Sequence, residues 1–288
     1  YHPYGTDVDF GGRTVTADDE ARLRMKNTPI LLDLEACTCG VSPTYWQQSQ
    51  FPLEYVNKIK VIHDGVDTRW CAPKPGPLVL ADKGLDLSQV PEVITYVGRG
   101  MEPYRGFPQF MEALDIVLRR RPQAHAVIVG NQQEVFYSPK RRDGKSYKEL
   151  VLENLDMDMT RVHFTGHLPK HQYLQVLQAS SVHVYLTVPF VLSWSMLEAM
   201  SCGCMLVASD TQPVREVVNH GVTGLLADML KPQELADRME EALVEKRQAQ
   251  AMRRRARELI LDRYDLNRLL PRHLELIQQV AQAGRKEQ

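Results

Sequence analysis

Along residues 182–204, VHVYLTVPFVLSWSMLEAMSCGC, the spacing of apolar residues switches from a strand period to a helix period. Val182, Val184 and Leu186 alternate in a β-branched run of the buried-strand type, and Pro189 marks a loop. Ser193 then stands where it can cap a helix over residues 194–200, which Gly203 stops. A strand, a tight loop and a helix start in series leave first-turn N–H groups without intrahelical partners, which suits an anion. Glu198 lies among Met196, Leu197, Ala199 and Met200, so its carboxylate needs a hydrogen-bonding partner.

The same alternation of periods predicts the rest of the second half of the chain. Strands are expected over residues 93–97, 126–129, 162–165, 205–209 and 223–226. Helices are expected over 108–120, 147–154, 171–179, 213–219, a broken segment 232–263, and 267–281. Strands alternating with helices at this spacing imply an α/β fold, a Rossmann-like parallel sheet with helices on both faces. Ligands bind such sheets at the carboxyl ends of the strands, which selects the loops 98–106, 130–146, 166–170 and 188–193. Upstream the pattern is weaker. It gives a short helix over 17–25, an apolar patch at Ile30, Leu31 and Leu32, a helix over 43–50 capped by Ser42, and a strand over 58–63 ending in a turn at Asp64-Gly65-Val66-Asp67. Pro73, Pro75 and Pro77 mark a linker, dividing the chain into residues 1–76 and 77–288.

Charge changes this picture little. The 288 residues carry 35 basic and 36 acidic side chains, which excludes nucleic acid or an anionic membrane as the principal partner. The cysteines at 37, 39, 71, 202 and 204 fit neither a zinc ribbon nor a disulfide framework, and imply reduced thiols and a cytoplasmic location. The window 182–204 is the most apolar, but His183, Pro189 and Glu198 argue against a spanning helix. The chain begins at Tyr1 without a signal peptide, which reads as a piece of a longer or processed protein.

Candidate chemistry concentrates in the selected loops. Gly98-Arg99-Gly100 through Arg105-Gly106 follows a strand and precedes a helix, yet Pro103 breaks the dinucleotide spacing G-x-G-x-x-G, which disfavours a dehydrogenase. Two arginines at a strand end among glycines suit a diphosphate, which guanidinium groups grip with paired hydrogen bonds. His163, His167 and His171 recur every four residues, but Gly166 and Pro169 keep them off one helix, so no metal stripe forms. His167 and Leu168 remain placed to touch a ligand's base. Lys140, Arg141, Arg142 and Lys145 read as a solvated basic loop, whose place at a strand's carboxyl end leaves a phosphate or acceptor contact open, and Arg253, Arg254, Arg255 and Arg257 as an exposed helix face. No HExxH, no P-loop and no Ser-His-Asp order is present.

Taken together, SPTYWQQSQFP, KIKVIHDGVDT, VGRGMEPYRG, AVIVGN, VHFTGHLP, SVHVYL, SMLEAMSCG and VASDTQPVREVVNHGVTGLL resemble the nucleotide-sugar half of the retaining group 1 (family 4) glycosyltransferases of GT-B fold, over residues 41–280. The resemblance implies sugar transfer from a nucleoside-diphosphate sugar to a hydroxyl of a glycan or lipid-linked acceptor, in glycan or glycolipid synthesis. It implies no metal or other cofactor. Arg99 and Arg105 would bind the donor diphosphate, Arg105 standing where the family usually has lysine, and Glu198 would bind the ribose. Gly98 lies in the diphosphate loop, His167 and Leu168 near the base, and the amides around Leu192 and Ser193 near phosphate or sugar oxygens. The family's first glutamate of Glu-x7-Glu falls at Phe190, and Val191-Leu192-Ser193 replaces its glycine-rich loop. Residues 1–76 would be the end of an amino-terminal acceptor domain, and a lipid-linked acceptor would bring peripheral contact with the inner face of the membrane. The alternative reading is a non-catalytic nucleotide-sugar-binding module. Sugar, base, acceptor and oligomeric state are not specified by the sequence.

Overall fold

The computed structural model describes residue 10 and residues 14–133, 136–138 and 141–286. Its centre is a six-stranded sheet in the order β10-β9-β8-β5-β6-β7, every neighbouring pair parallel. Ahead of it come α1 (Ala17–Ala36), β1 (Gly40–Ser42), α2 (Tyr45–Ser49), α3 (Leu53–Val56) and β2 (Ile59–Val61), with β1 and β2 paired in parallel. A small antiparallel pair, β3 (Val79–Leu80) and β4 (Leu85–Asp86), follows the proline linker. The sheet then runs as β5 (Glu92–Gly100), α4 (Phe107–Arg120), β6 (Ala124–Asn131), α5 (Tyr147–Asn154), β7 (Val162–Gly166), α6 (Lys170–Gln178), β8 (Val182–Tyr185), α7 (Trp194–Ser201), β9 (Leu206–Ser209), α8 (Gln212–Arg215) and β10 (Leu225–Ala227). Helices α9 (Pro232–Val244), α10 (Lys246–Arg263) and α11 (Leu266–Lys286) close the chain.

The central strands read as nearly continuous apolar runs because helices cover both of their faces. All of β8 and β9 is buried. On one face Phe107, Phe110, Met111 and Leu114, an i, i+3, i+4, i+7 stripe of α4, pack with Met239 of α9 against Ile94, Ile128 and Val184. On the other, Leu197 and Met200 of α7 and Ile260 of α10 pack with Tyr185 and Leu206. From β5 the chain steps outward through β6 and β7, then returns to the opposite side of β5 as β8. The loops after β5 and β8 therefore diverge, and a crevice opens between the carboxyl ends of these two strands. Two glycines permit that tight packing. Gly106 has φ +62, and a Cβ there would lie 2.6 Å from Leu186 Cβ; at Gly130 it would lie 1.8 Å from the Gly98 carbonyl oxygen.

Several sequence expectations are corrected. Helix α1 runs to Ala36 rather than stopping near Met25, passing through Pro29, because Leu23, Asn27 and Leu34 give it a buried face that outweighs one lost backbone bond. Ser42 belongs to β1, and the cap of α2 is Thr44, whose hydroxyl accepts the Gln47 N–H. Gly98 and Arg99 lie within β5, whose register shifts between Val97 and Gly100, rather than in a flexible turn. The hairpin of β3 and β4 was not anticipated. Helix α8 is a single turn, shorter than expected. Arg253 and Arg257 turn inward from α10: Arg253 donates to the Ser181 carbonyl (2.5 Å), and Arg257 to those of Cys71 (3.0 Å) and Ser201. Arg254 and Arg255 are exposed as expected. Lys140 lies outside the described residues. All five cysteines are free thiols.

Candidate active site

At the crevice lie two adjoining hollows of about 500 and 580 Å³ that share Val97, Gly98, Arg99, Ser193 and Ser195. Arg105, Glu198 and Leu192 reach the first, and His167 and Leu168 the second, with Leu168 buried and His167 exposed. Eight of the nine residues singled out from sequence thus converge on one cleft.

Arg105 is buried, on the single 3₁₀ turn between β5 and α4. One of its terminal nitrogens, Nη1, donates to Thr187 Oγ1 (2.8 Å), the Val191 carbonyl (3.1 Å) and Tyr185 Oη (3.2 Å). Its own carbonyl accepts the Tyr96 hydroxyl at 2.8 Å, and burial pushes that phenol far above its ordinary pKa, so it stays a neutral donor. Arg99 is exposed, its guanidinium carbon 4.3 Å from the centroid of the Phe136 ring. Neither arginine has a carboxylate partner among the described residues. Two unneutralised guanidinium groups at one strand end make the cleft electropositive where the strands point.

Glu198 projects from the second turn of α7, and its side chain is 17% exposed. Lys170 and Tyr173, both on α6, hold it: the ammonium forms an ion pair with Oε1, and the phenol donates to Oε2 at 2.5 Å. Burial, then the Glu198 charge, pushes the Tyr173 phenol well above its usual range. The partner that Glu198 required is therefore a lysine and a tyrosine 28 and 25 residues closer to the amino terminus, a link no local pattern signals. At the start of α7, Ser193 caps as expected, its hydroxyl accepting the Ser195 N–H at 3.3 Å. The Ser193 amide, however, donates to Tyr185 Oη at 2.8 Å, so within the folded chain this N–H is already engaged.

Phe190 stands apart from the other candidates. Its ring meets Tyr104 (5.7 Å) and Tyr137 (5.3 Å) edge to face, behind the Arg105 guanidinium, and it is not part of the cleft wall. Sequence reasoning missed His63, Asp64, Glu102, Phe136 and Tyr137. His63 and Asp64 bring the segment before the linker to the cleft wall. His63 Nδ1 accepts the Gly65 N–H at 2.9 Å, and burial lowers its pKa, so the ring is neutral with its proton on Nε2. Asp64 accepts the Trp194 indole N–H at 3.0 Å. In the sequence, His63 and Asp64 showed only as the end of a predicted strand, a turn signal and part of the KIKVIHDGVDT run, none of which singled them out. Among the described residues no group of three or more His, Cys, Asp or Glu could hold a metal ion, and His163 is paired with His125 (3.0 Å) rather than with His167 or His171. Among the same residues no helix is long and apolar enough to cross a membrane.

The family model of group 1 glycosyl transferases matches residues 81–259, and that of the glycosyl transferase family 4 group matches residues 1–71. The chain belongs to the group 1 glycosyltransferases. It is 30% identical over 180 residues to the alpha-maltose-1-phosphate synthase of Mycolicibacterium smegmatis, covering 61% of this chain and 43% of that one. It is 26% identical over 176 residues to the D-inositol 3-phosphate glycosyltransferase of Segniliparus rotundus, covering 61% and 37%. The matched stretch thus spans less than half the length of either curated relative. Among solved structures, Anabaena HepE in complex with UDP and glucose superposes with a TM-score of 0.73 at 21% identity, over 90% of this chain and 67% of that one. Sucrose-phosphate synthase of Thermosynechococcus elongatus gives 0.67 at 23% identity, over 94% and 65%. The α/β fold of these glycosyltransferase structures is shared by this chain.

Proposed function

We propose that the chain carries the donor site of a retaining glycosyltransferase, which moves a sugar from a nucleoside-diphosphate sugar to a hydroxyl of a glycan or lipid-linked acceptor. The observation that carries this reading is the pair Arg99 and Arg105, free of carboxylates among the described residues, at the topological switch point of the sheet beside Glu198. A diphosphate set there would meet the Nε and Nη2 groups of Arg105, which the Nη1 contacts leave free among the described residues. When the bond from sugar to phosphate breaks, negative charge grows on the departing diphosphate, and fixed cations stabilise it more than they stabilise the intact donor. Glu198, buttressed by Lys170 and Tyr173, offers carboxylate oxygens to ribose hydroxyls, and His167 and Leu168 face the base. The complexes of HepE with UDP and with UDP-glucose support a uridine nucleotide as the first ligand to try. Residues 1–76 would complete the wall on the acceptor side through His63 and Asp64, in the cytoplasm or at the membrane's inner face, with no metal taking part.

Thermal unfolding with UDP and with GDP tests this. A ligand that binds only the folded state adds about 2.7 kcal/mol at a hundredfold excess over Kd. One of the two nucleotides should raise the unfolding temperature, and Arg105→Ala should abolish the shift; no shift with either removes the reading. Phe190 stands where the resemblance expects a sugar-binding carboxylate and packs its ring on Tyr104 and Tyr137, which favours a second reading, a module that holds the donor without transferring its sugar. Release of sugar from a bound donor, or its transfer, decides between them.

A further inference from the structure

Glu102 has no exposed surface, yet no lysine, arginine or histidine among the described residues pairs with it. Its partners are backbone. Carboxylate oxygen Oε2 accepts the N–H groups of Phe136 (3.3 Å), Tyr137 (2.9 Å) and Ser138 (2.6 Å) in succession. An ionised carboxylate is costly to bury unless strong donors replace its water, and three consecutive amides supply them. The carboxylate therefore fixes where this stretch of the loop after β6 lies. The same stretch is tied again by the Tyr104 N–H, which donates to Ser138 Oγ at 3.1 Å.

What the loop carries is a ring for each arginine. Phe136 lies against Arg99 at 4.3 Å and Tyr137 against Arg105 at 5.3 Å, with Phe190 backing Tyr137. A carboxylate in those places would orient the arginines but neutralise them. An aromatic face orients a planar cation and leaves its N–H groups and its charge for a ligand. Resting on the donor-site reading above, we infer that Glu102 is a positioning residue for the diphosphate: it pins an aromatic cover that holds both arginines pre-oriented and unneutralised. Glu102 itself lies too deep to touch the ligand. It acts through Phe136 and Tyr137.

Calorimetric binding of UDP and GDP to the wild type, Glu102→Gln, Phe136→Ala and the double variant tests this. Glu102→Gln should weaken the nucleotide that binds by on the order of tenfold, as should Phe136→Ala. The double variant should be no weaker than the worse single one, because both changes remove the same cover. A residue that only supported the fold would lower the unfolding temperature, and its effect on affinity would multiply with that of Phe136→Ala. Wild-type affinity in Glu102→Gln, or multiplied losses in the double variant, overturns the inference. If Glu102→Gln does not fold, Phe136→Ala and Tyr137→Ala carry the test with Glu102 in place; wild-type affinity in both overturns it. If the wild type binds neither nucleotide, the donor-site reading itself fails and the inference falls with it.

Discussion

Arg105 shows why an arginine and not a lysine can serve this cleft. The contacts of Nη1 with Tyr185, Thr187 and Val191 lock one end of the guanidinium into the protein. The rest of the planar fork is then aimed without further loss of side-chain freedom. A lysine has one nitrogen, which can either satisfy these three acceptors or reach a phosphate, but not both. Arg105→Lys should therefore fold normally, since the buried acceptors keep a donor, and should bind UDP or GDP on the order of tenfold more weakly. Titration calorimetry beside an unfolding curve reads both quantities. Unchanged affinity would mean that the free nitrogens of Arg105 do no binding. The sequence displayed this arginine plainly, because it sits between a strand and a helix in a glycine-bounded turn. It gave no sign of Glu102, whose partners are backbone amides and so leave no residue pattern, or of Phe136 and Tyr137, two aromatics in a polar loop without a period.

At the scale of the elements, legibility followed burial. Strand β8 and helix α7 appear where the apolar period placed them, because a strand covered on both faces and a helix covered on one admit few polar residues. Where side-chain contacts across the chain decide, the pattern fails, as in the inward arginines of α10 and the passage of α1 through Pro29. The polar exception in β8 is His183, fully buried, with Nδ1 2.9 Å from Thr95 Oγ1 and Nε2 without a partner among the described residues. Burial lowers its pKa to about 3, since the charged ring would lose its hydration and each of its two N–H groups would need an acceptor. The unfolded chain takes up this proton near pH 6.5 and the folded one refuses it, so the contribution to stability is complete above that value and declines as pH falls towards 3. Each unit of that interval amounts to about 1.4 kcal/mol. His125 and His163 shift in the same direction, by burial first and, for His163, by the neighbouring His125. The unfolding temperature should therefore drop between pH 6.5 and 4.5, and His183→Gln should flatten the slope. A slope unchanged in that variant would assign the acid sensitivity elsewhere.

In the whole molecule, the segment before the prolines is bound to the rest of the chain by specific hydrogen bonds and by Val66 and Cys71 in the apolar core. Glu216 accepts the N–H groups of Tyr45 (2.9 Å) and Trp46 (2.8 Å) at the start of α2, where a carboxylate also meets the positive end of the helix. Asp64 holds Trp194, and Val66 exchanges backbone bonds with Tyr264 and Leu266 on either side of the join between α10 and α11. Arg257 is the most connected of these links. From α10 it donates to the carbonyls of Thr68 (3.4 Å) and Cys71 (3.0 Å) before the linker, and to those of Ser201 at the end of α7. Replacing it with a methionine keeps much of the apolar stem and removes every donor, leaving the carbonyls of the buried Thr68 and Ser201 without this partner, while that of Cys71 keeps the Ser201 hydroxyl. Arg257→Met should destabilise the protein by about 1–3 kcal/mol, read as a lower urea midpoint. The cleft should feel the change as well, because His63 and Asp64, which wall it, sit on the segment that Arg257 anchors. Nucleotide affinity should then fall by less than in Arg105→Lys, since the arginines themselves are held by β5, β8 and the loop after β6. An unchanged midpoint would place the junction's stability in the backbone bonds of Val66 and the α2–Glu216 contact; an affinity loss as large as that of Arg105→Lys would mean that the segment before the linker binds the nucleotide directly.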